Sequence, residues 1–146
     1  MTTLFRRILV PFDFSAPATQ ALRAAVDLAA ARKGRLLVLH AIPPYYPAGE
    51  GPPWFPPDDL IAADRRRLGA IARKAAGRRV KVTSQVVVGN PYEEILRAAR
   101  GMDAIVMATH GRSGLAHLVI GSVAEKVVRH ATVPVLTVRP RGRRRR

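Results

Sequence analysis

The 146-residue chain contains no cysteine, which excludes disulfides, thiolate metal sites and the small secreted scaffolds that depend on either. No uninterrupted apolar run approaches the ~18 residues needed to span a bilayer, and no apolar leader precedes the first strand-like run. A cytoplasmic protein with no membrane partner is therefore expected. Acidic residues are scarce: 10 Asp and Glu stand against 25 Lys and Arg, for a net charge of +15. Such an excess argues for a nucleic-acid binder only where it is organised. Six of the arginines lie between Arg139 and Arg146, with no aromatic residue among them on which a base would stack. The expected division is one domain over residues 1–140 and a basic, disordered tail over 141–146. Weak, salt-sensitive binding to nucleic acid and other polyanions is expected of Arg141 to Arg146.

Two nucleotide-binding fingerprints are also missing. A dinucleotide fold carries G-x-G-x-x-G directly after its first strand, where this chain has Pro11-Phe12-Asp13-Phe14-Ser15. A Walker A loop needs Gly-Lys followed by Ser or Thr, and no such triplet occurs.

What is present alternates strand and helix. Arg6 to Phe12 is a short, nearly all-apolar run, as expected of a strand buried on both faces. Ser15 is placed to cap a helix over Ala16 to Arg32, with Pro17 in its first turn and Gly34 ending it. Arg35 to Ile42 predicts a second strand, interrupted only by His40. Pro43 to Pro57 packs seven prolines, two glycines and the aromatics Tyr45, Tyr46, Trp54 and Phe55 into fifteen residues. This composition predicts an irregular, semi-rigid flap whose aromatics pack on their own domain or on a neighbouring subunit. A helix follows over Asp58 to Ala76, then an edge-type strand over Val80 to Val88 and a helix capped by Asn90. Asp103 to Ala108 predicts the fourth strand. Ser122 with Glu125 reads as a capping box for a last helix with an apolar stripe of Val123, Ala124, Val127, Val128 and Ala131. Val133 to Val138 predicts the fifth strand, its Pro134 suited to a sheet edge.

Five strands alternating with four helices imply an α/β fold: one open, mostly parallel five-stranded sheet with helices on both faces, Rossmann-like in architecture. Ligands in such sheets bind at the carboxyl ends of strands where the strand order reverses. Here the loop from Thr109 to Ser122 holds three glycines and leads into a helix, the arrangement that turns backbone amides and a positive dipole end toward an anion. His110 and Arg112 lie in that loop. His110 reads either as a phosphate contact or base or, more simply, as bonded to neighbouring backbone; Arg112 reads as a phosphate clamp or a solvated arginine. Asp13 reads as a ligand or as a turn former. His40, His117 and His130 lack metal-ligand spacing, and Asp27, Asp64, Glu93 and Glu94 read as caps or surface charge. No serine or threonine has a legible base and orienter, so covalent catalysis has no support.

The segments V-P-F-D-F-S after the first strand and T-H-G-R-S-G-L through G-S-V-A-E-K-V after the fourth resemble the universal stress protein family, and the resemblance covers essentially the whole chain. The family's nucleotide signature is G-x2-G-x9-G-[S/T]. Gly111, Gly121 and Ser122 match its later part, and Ala108 stands at its first glycine. The resemblance implies ATP with Mg or Mn as ligand. Asp13 would meet the ribose or a metal-linked phosphate, and the backbone near Pro11 and Ala41 would meet adenosine. Gly111, Gly114, Gly121, Ser122 and Val123 would wrap the triphosphate, and Ser15, Ala108 and Arg112 would complete the nucleotide-binding set. The resemblance makes the Rossmann-like fold an adenine-nucleotide-binding one. It implies a homodimer through the last strand, and a nucleotide-responsive stress protein with at most slow ATP hydrolysis. Two alternatives stand beside it: a nucleotide-independent homodimeric interaction module, and a polyanion binder acting through the arginine tail.

Overall fold

The computed structural model describes residues 5–110 and 120–140. The tail over 141–146 and the loop glycines Gly111 and Gly114, with Arg112 between them, lie outside the described residues. The elements are β1 (Arg7–Pro11), α1 (Ala16–Ala31), β2 (Arg35–Ile42), α2 (Asp58–Ala76), β3 (Lys81–Val88), α3 (Pro91–Ala98), β4 (Ala104–Ala108), α4 (Ser122–His130) and β5 (Val135–Val138). The five strands form one sheet in the order β3-β2-β1-β4-β5, and every pairing is parallel. Strand order therefore reverses between β1 and β4, which are neighbours. The expected open α/β sheet is the one observed.

Alternation along the strands sorts the core into two layers. Ile8, Val10, Leu36, Val38 and Val106 face α1 and α2, meeting Leu22, Val26, Leu68 and Ala72. Leu9, Leu39, Ile105 and Met107 face the other way, onto Ile95 of α3 and Ala124 and Val127 of α4. Central strands that bury both faces have no polar positions to spare, which is why β1 and β4 read as continuous apolar runs. None of the described helices is long and apolar enough to cross a membrane.

Several local expectations change. Gly34 does not supply the left-handed turn after α1; Lys33 does, at φ 51°. Gly34 is required for a different reason, since a Cβ there would lie 2.6 Å from the Arg6 carbonyl oxygen. Ser122 is the first residue of α4, not its cap: the N-cap is Gly121, which offers no side chain, and Glu125 instead pairs with Arg129 at 2.7 Å. Val128, expected in the apolar stripe of α4, is exposed. Strand ends draw in by one or two residues, β1 to Arg7–Pro11, β3 to start at Lys81 and β5 at Val135.

The proline-rich segment is not wholly irregular. Tyr45 and Trp54 exchange both backbone hydrogen bonds, 3.0 and 2.8 Å, closing it into an antiparallel bridge. Its four aromatics do not pack on the domain. All are exposed, and Tyr46 and Phe55 meet edge-on at 6.3 Å.

Asp103, expected to begin β4, sits just before it and ties the strand to β1. Its carboxylate takes the Arg7 guanidinium at 2.8 and 3.1 Å and the backbone amides of Arg6 and Arg7 at 3.2 and 2.8 Å. The Arg7 side-chain hydrogen bond leads in holding this carboxyl below the ordinary value, with burial opposing it. A carboxyl lowered on folding contributes stability above its unfolded pKa of ~3.9, and that contribution is lost as pH falls through the folded value. Asp103→Asn is expected to cost about 1–2 kcal/mol at pH 7, modest because Arg7 is half exposed and the pair is screened. Urea melts of the two proteins should converge as the pH falls through the lowered folded-state value of this carboxyl.

Candidate nucleotide-binding site

The loop from β1 to α1 is shaped by short-range polar chemistry. Ser15 caps α1, its Oγ accepting from the Ala18 amide at 3.2 Å, and the Asp13 Oδ1 accepts from the Ser15 amide at 3.0 Å. Between them Phe14 adopts a positive φ of 64°, a conformation costing a β-carbon-bearing residue about 1 kcal/mol or more. Ring contacts hold it there. Phe14 meets Phe12 at 5.4 Å and His40 at 4.7 Å, and the Arg67 guanidinium of α2 lies 4.2 Å above its ring.

His40 is the buried centre of this cluster. Its Nδ1 donates to the Phe12 carbonyl at 2.8 Å, and its Nε2 lies 3.6 Å from an Asp64 carboxylate oxygen on α2. Asp64, expected as surface charge, is thus turned inward. The β1–α1 loop, β2 and α2 are locked together by one imidazole.

On the other side of the reversal point, Thr109 closes β4. Its amide donates to the Val138 carbonyl at 3.2 Å, its carbonyl accepts from the Gly121 amide at 2.6 Å, and its hydroxyl pairs with the His110 Nδ1 at 2.8 Å. His110 was expected to bond to neighbouring backbone; it bonds to a neighbouring side chain. The buried Nε2 of the same ring has no partner among the described residues. The Thr109–Gly121 contact also fixes where α4 begins. With glycine at the N-cap, the Ser122, Val123 and Ala124 amides have no hydrogen-bond partner among the described residues.

These segments enclose a cavity of about 350 Å³ at the carboxyl ends of β1, β2 and β4. That volume falls within the ~300–1,000 Å³ usual for small-molecule sites. Of the residues singled out in the sequence, Pro11, Asp13, Ala41, Ala108, Gly121, Ser122 and Val123 line it. Ser15 does not; its hydroxyl is committed to the helix cap. The apolar wall of Leu39, Pro91, Ile95 and Met107 was not singled out, because each residue reads individually as core or as a helix start. Thr109 was missed too. A polar residue at the end of an apolar strand was the available signal.

The cavity therefore has two unlike halves. One is apolar with main-chain carbonyls and a carboxylate at its edge, and suits a planar base and a sugar. The other is the start of α4, where the Ser122, Val123 and Ala124 amides have no partner among the described residues and the helix dipole is positive, and it suits an anion. The only titratable side chains among the described lining residues are Asp13, His40 and His110.

The model of the universal stress protein family matches residues 4–139. The universal stress protein of the QAH/OAS sulfhydrylase 3′ region of Thermus aquaticus is 38% identical over 141 residues, covering 93% of this chain and 100% of the relative. Among solved structures, the universal stress protein of Archaeoglobus fulgidus in complex with dAMP superposes with a TM-score of 0.66 at 26% identity, covering 90% of this chain and 95% of the other. A universal stress protein in complex with cAMP gives 0.67 at 25% identity, over 91% and 96%.

Proposed function

Since the chain belongs to the universal stress protein family, we propose that its strand-end cavity binds ATP with Mg²⁺ or Mn²⁺ and that occupancy alters a partner surface, making it a nucleotide-responsive regulator in the cytoplasm. The supporting observation is the start of α4, which has no side-chain cap: Ser122, Val123 and Ala124 line the cavity together with His110, whose Nε2 has no partner among the described residues. Related proteins have been solved with the adenylates dAMP and cAMP, which favours an adenine base here. In this reading the backbone at Pro11 and Ala41 flanks adenosine and Asp13 faces the ribose or a metal-linked phosphate. The α4 amides take the phosphates, joined by Gly111, Arg112 and Gly114 from the glycine loop. A divalent cation would offset the repulsion among phosphate oxygens.

Hydrolysis is proposed to be slow at most. Phosphoryl transfer relies, beyond the metal, on a lysine or equivalent cation at the transition state and on a residue that orients water, and no lysine is found among the described lining residues. Calorimetric titration with Mg-ATP tests the binding. A measurable heat is expected, together with stabilisation of about 2.7 kcal/mol when free nucleotide stands at 100 times its Kd. No heat and no thermal shift at millimolar nucleotide would dispose of the reading.

The homodimer is part of the same proposal. β5 is a sheet edge, and exposed Leu136 on it and exposed Val128 on α4 offer apolar surface that a second copy would cover. Leu136→Asp is expected to yield monomer where the parent protein is dimeric, read by light scattering at micromolar concentration.

A further inference from the structure

At the opposite end of the sheet from the nucleotide cavity, the starts of β1, β2 and β3 and the C-terminal ends of α1 and α2 surround a second, larger basin of about 1000 Å³. Seven cationic residues line it: Arg6, Arg7, Lys33, Arg35, Arg78, Arg79 and Lys81. Asp103 is the only acidic residue in its described lining and is held by Arg7; Arg79 pairs with Asp27 at 2.9 Å. The other five cations have no carboxylate partner among the described residues.

Part of this charge has a structural reason. Lys33, Arg78 and Arg79 follow the C-terminal ends of α1 and α2, where positive charge offsets the negative pole of the helix. Arg7, Arg35 and Lys81 have no such reason. They are register partners across three adjacent strands, Arg7 opposite Arg35 and Arg35 opposite Lys81, at a strand spacing of ~4.8 Å. Like charges directly opposite one another on neighbouring strands destabilise a sheet. Only Arg7 is relieved by a carboxylate, so the row works against folding unless an anion joins it.

We propose that this basin binds a chain of linked phosphates, inorganic polyphosphate being the ligand that matches it. Five unpaired cations around one concavity call for several negative charges in a compact space. No aromatic side chain is found among the described residues that line the basin, so they offer nothing on which a base would stack, and the phosphates alone would be recognised. A flexible chain follows the concavity; a DNA duplex, stiff over ~150 bp, reaches only its rim. The site lies at the opposite end of the sheet from the nucleotide cavity, and described residues alone supply its seven cations.

The test is fluorescence anisotropy of end-labelled inorganic polyphosphate with the full chain across a NaCl series. Three proteins are compared: the parent, the basin variant Arg35→Gln with Lys81→Gln, and a tail variant with Arg143 to Arg146 each replaced by Gln. The basin variant is expected to bind at least about tenfold more weakly, with a log–log salt slope smaller by about 2. The tail variant should stay within about threefold of the parent, and single-stranded DNA at equal phosphate concentration should compete poorly. Without ligand the basin variant should melt no lower than the parent, because the like-charge row is relieved; polyphosphate should raise the melting temperature of the parent and not of the basin variant. The proposal is overturned if the tail variant loses binding while the basin variant keeps it, if DNA competes equally per phosphate, or if the basin variant melts below the parent.

Discussion

Replacing Gly121 by aspartate is expected to weaken ATP binding by roughly 100-fold, about 2.7 kcal/mol, while leaving the fold intact. Both halves of that expectation come from one geometry. Gly121 is the N-cap of α4 at φ −57°, a backbone conformation that any L-residue adopts. A Cβ there would lie 3.3 Å from the Thr109 carbonyl oxygen, a contact relieved by a shift of a few tenths of an ångström. Aspartate is among the preferred N-cap residues, and its carboxylate would accept hydrogen bonds from the open amides of Val123 or Ala124. The helix would gain a few tenths of a kcal/mol. The same carboxylate would occupy the place proposed for phosphate and repel it. Calorimetry with Mg-ATP reads the loss of affinity, and a thermal melt of the apo protein reads the unchanged or slightly raised stability. Gly121→Ala separates charge from bulk and should cost less than about tenfold. If aspartate leaves affinity unchanged, the phosphates do not lie at the start of α4.

That cap also marks the limit of what the sequence made legible. Ser122 followed by Glu125 has the spacing of a capping box, yet the helix begins one residue earlier, because the Gly121 amide is taken by the Thr109 carbonyl at 2.6 Å. A hydrogen bond across the glycine loop decides the start of α4, and local pattern carries no record of it. The parallel sheet was legible for the opposite reason. Runs such as Arg35 to Ile42 must bury both faces, and helical spacing between them leaves little choice of architecture. Pro11, Asp13 and Ala41 could be assigned to one crevice because strand ends in such a sheet converge where the order reverses. His40 and Asp64 could not be paired in this way. They sit on opposite sides of the Pro43 to Pro57 excursion, and their contact depends on how α2 docks against β2. The result matters for the site: through His40 and the strained Phe14, α2 is coupled to the loop that carries Asp13.

Gly34→Ala is expected to be among the most damaging single-methyl changes in the chain, costing about 3 kcal/mol. The added Cβ would lie 2.6 Å from the Arg6 carbonyl oxygen and 3.0 and 3.1 Å from its Cα and carbonyl carbon. These are backbone atoms, so no rotamer change relieves them. The Arg6 carbonyl also accepts from the Arg35 amide at 2.7 Å, the bond that sets the register of β1 on β2. Relief therefore requires the strands to separate where the sheet begins, and overpacking of about 1–3 kcal/mol is joined by a hydrogen bond worth about 1. For a domain of this size the melting temperature should fall by roughly 6–12 °C. The neighbouring position gives the contrast. Lys33 holds the left-handed conformation at φ 51°, and Lys33→Gly should stabilise by about 0.5–1 kcal/mol, the release of backbone strain outweighing the flexibility that glycine adds to the unfolded chain. Denaturant melts of the two variants should therefore move in opposite directions. A Gly34→Ala protein as stable as the parent would mean that β1 and β2 do not approach this closely in solution.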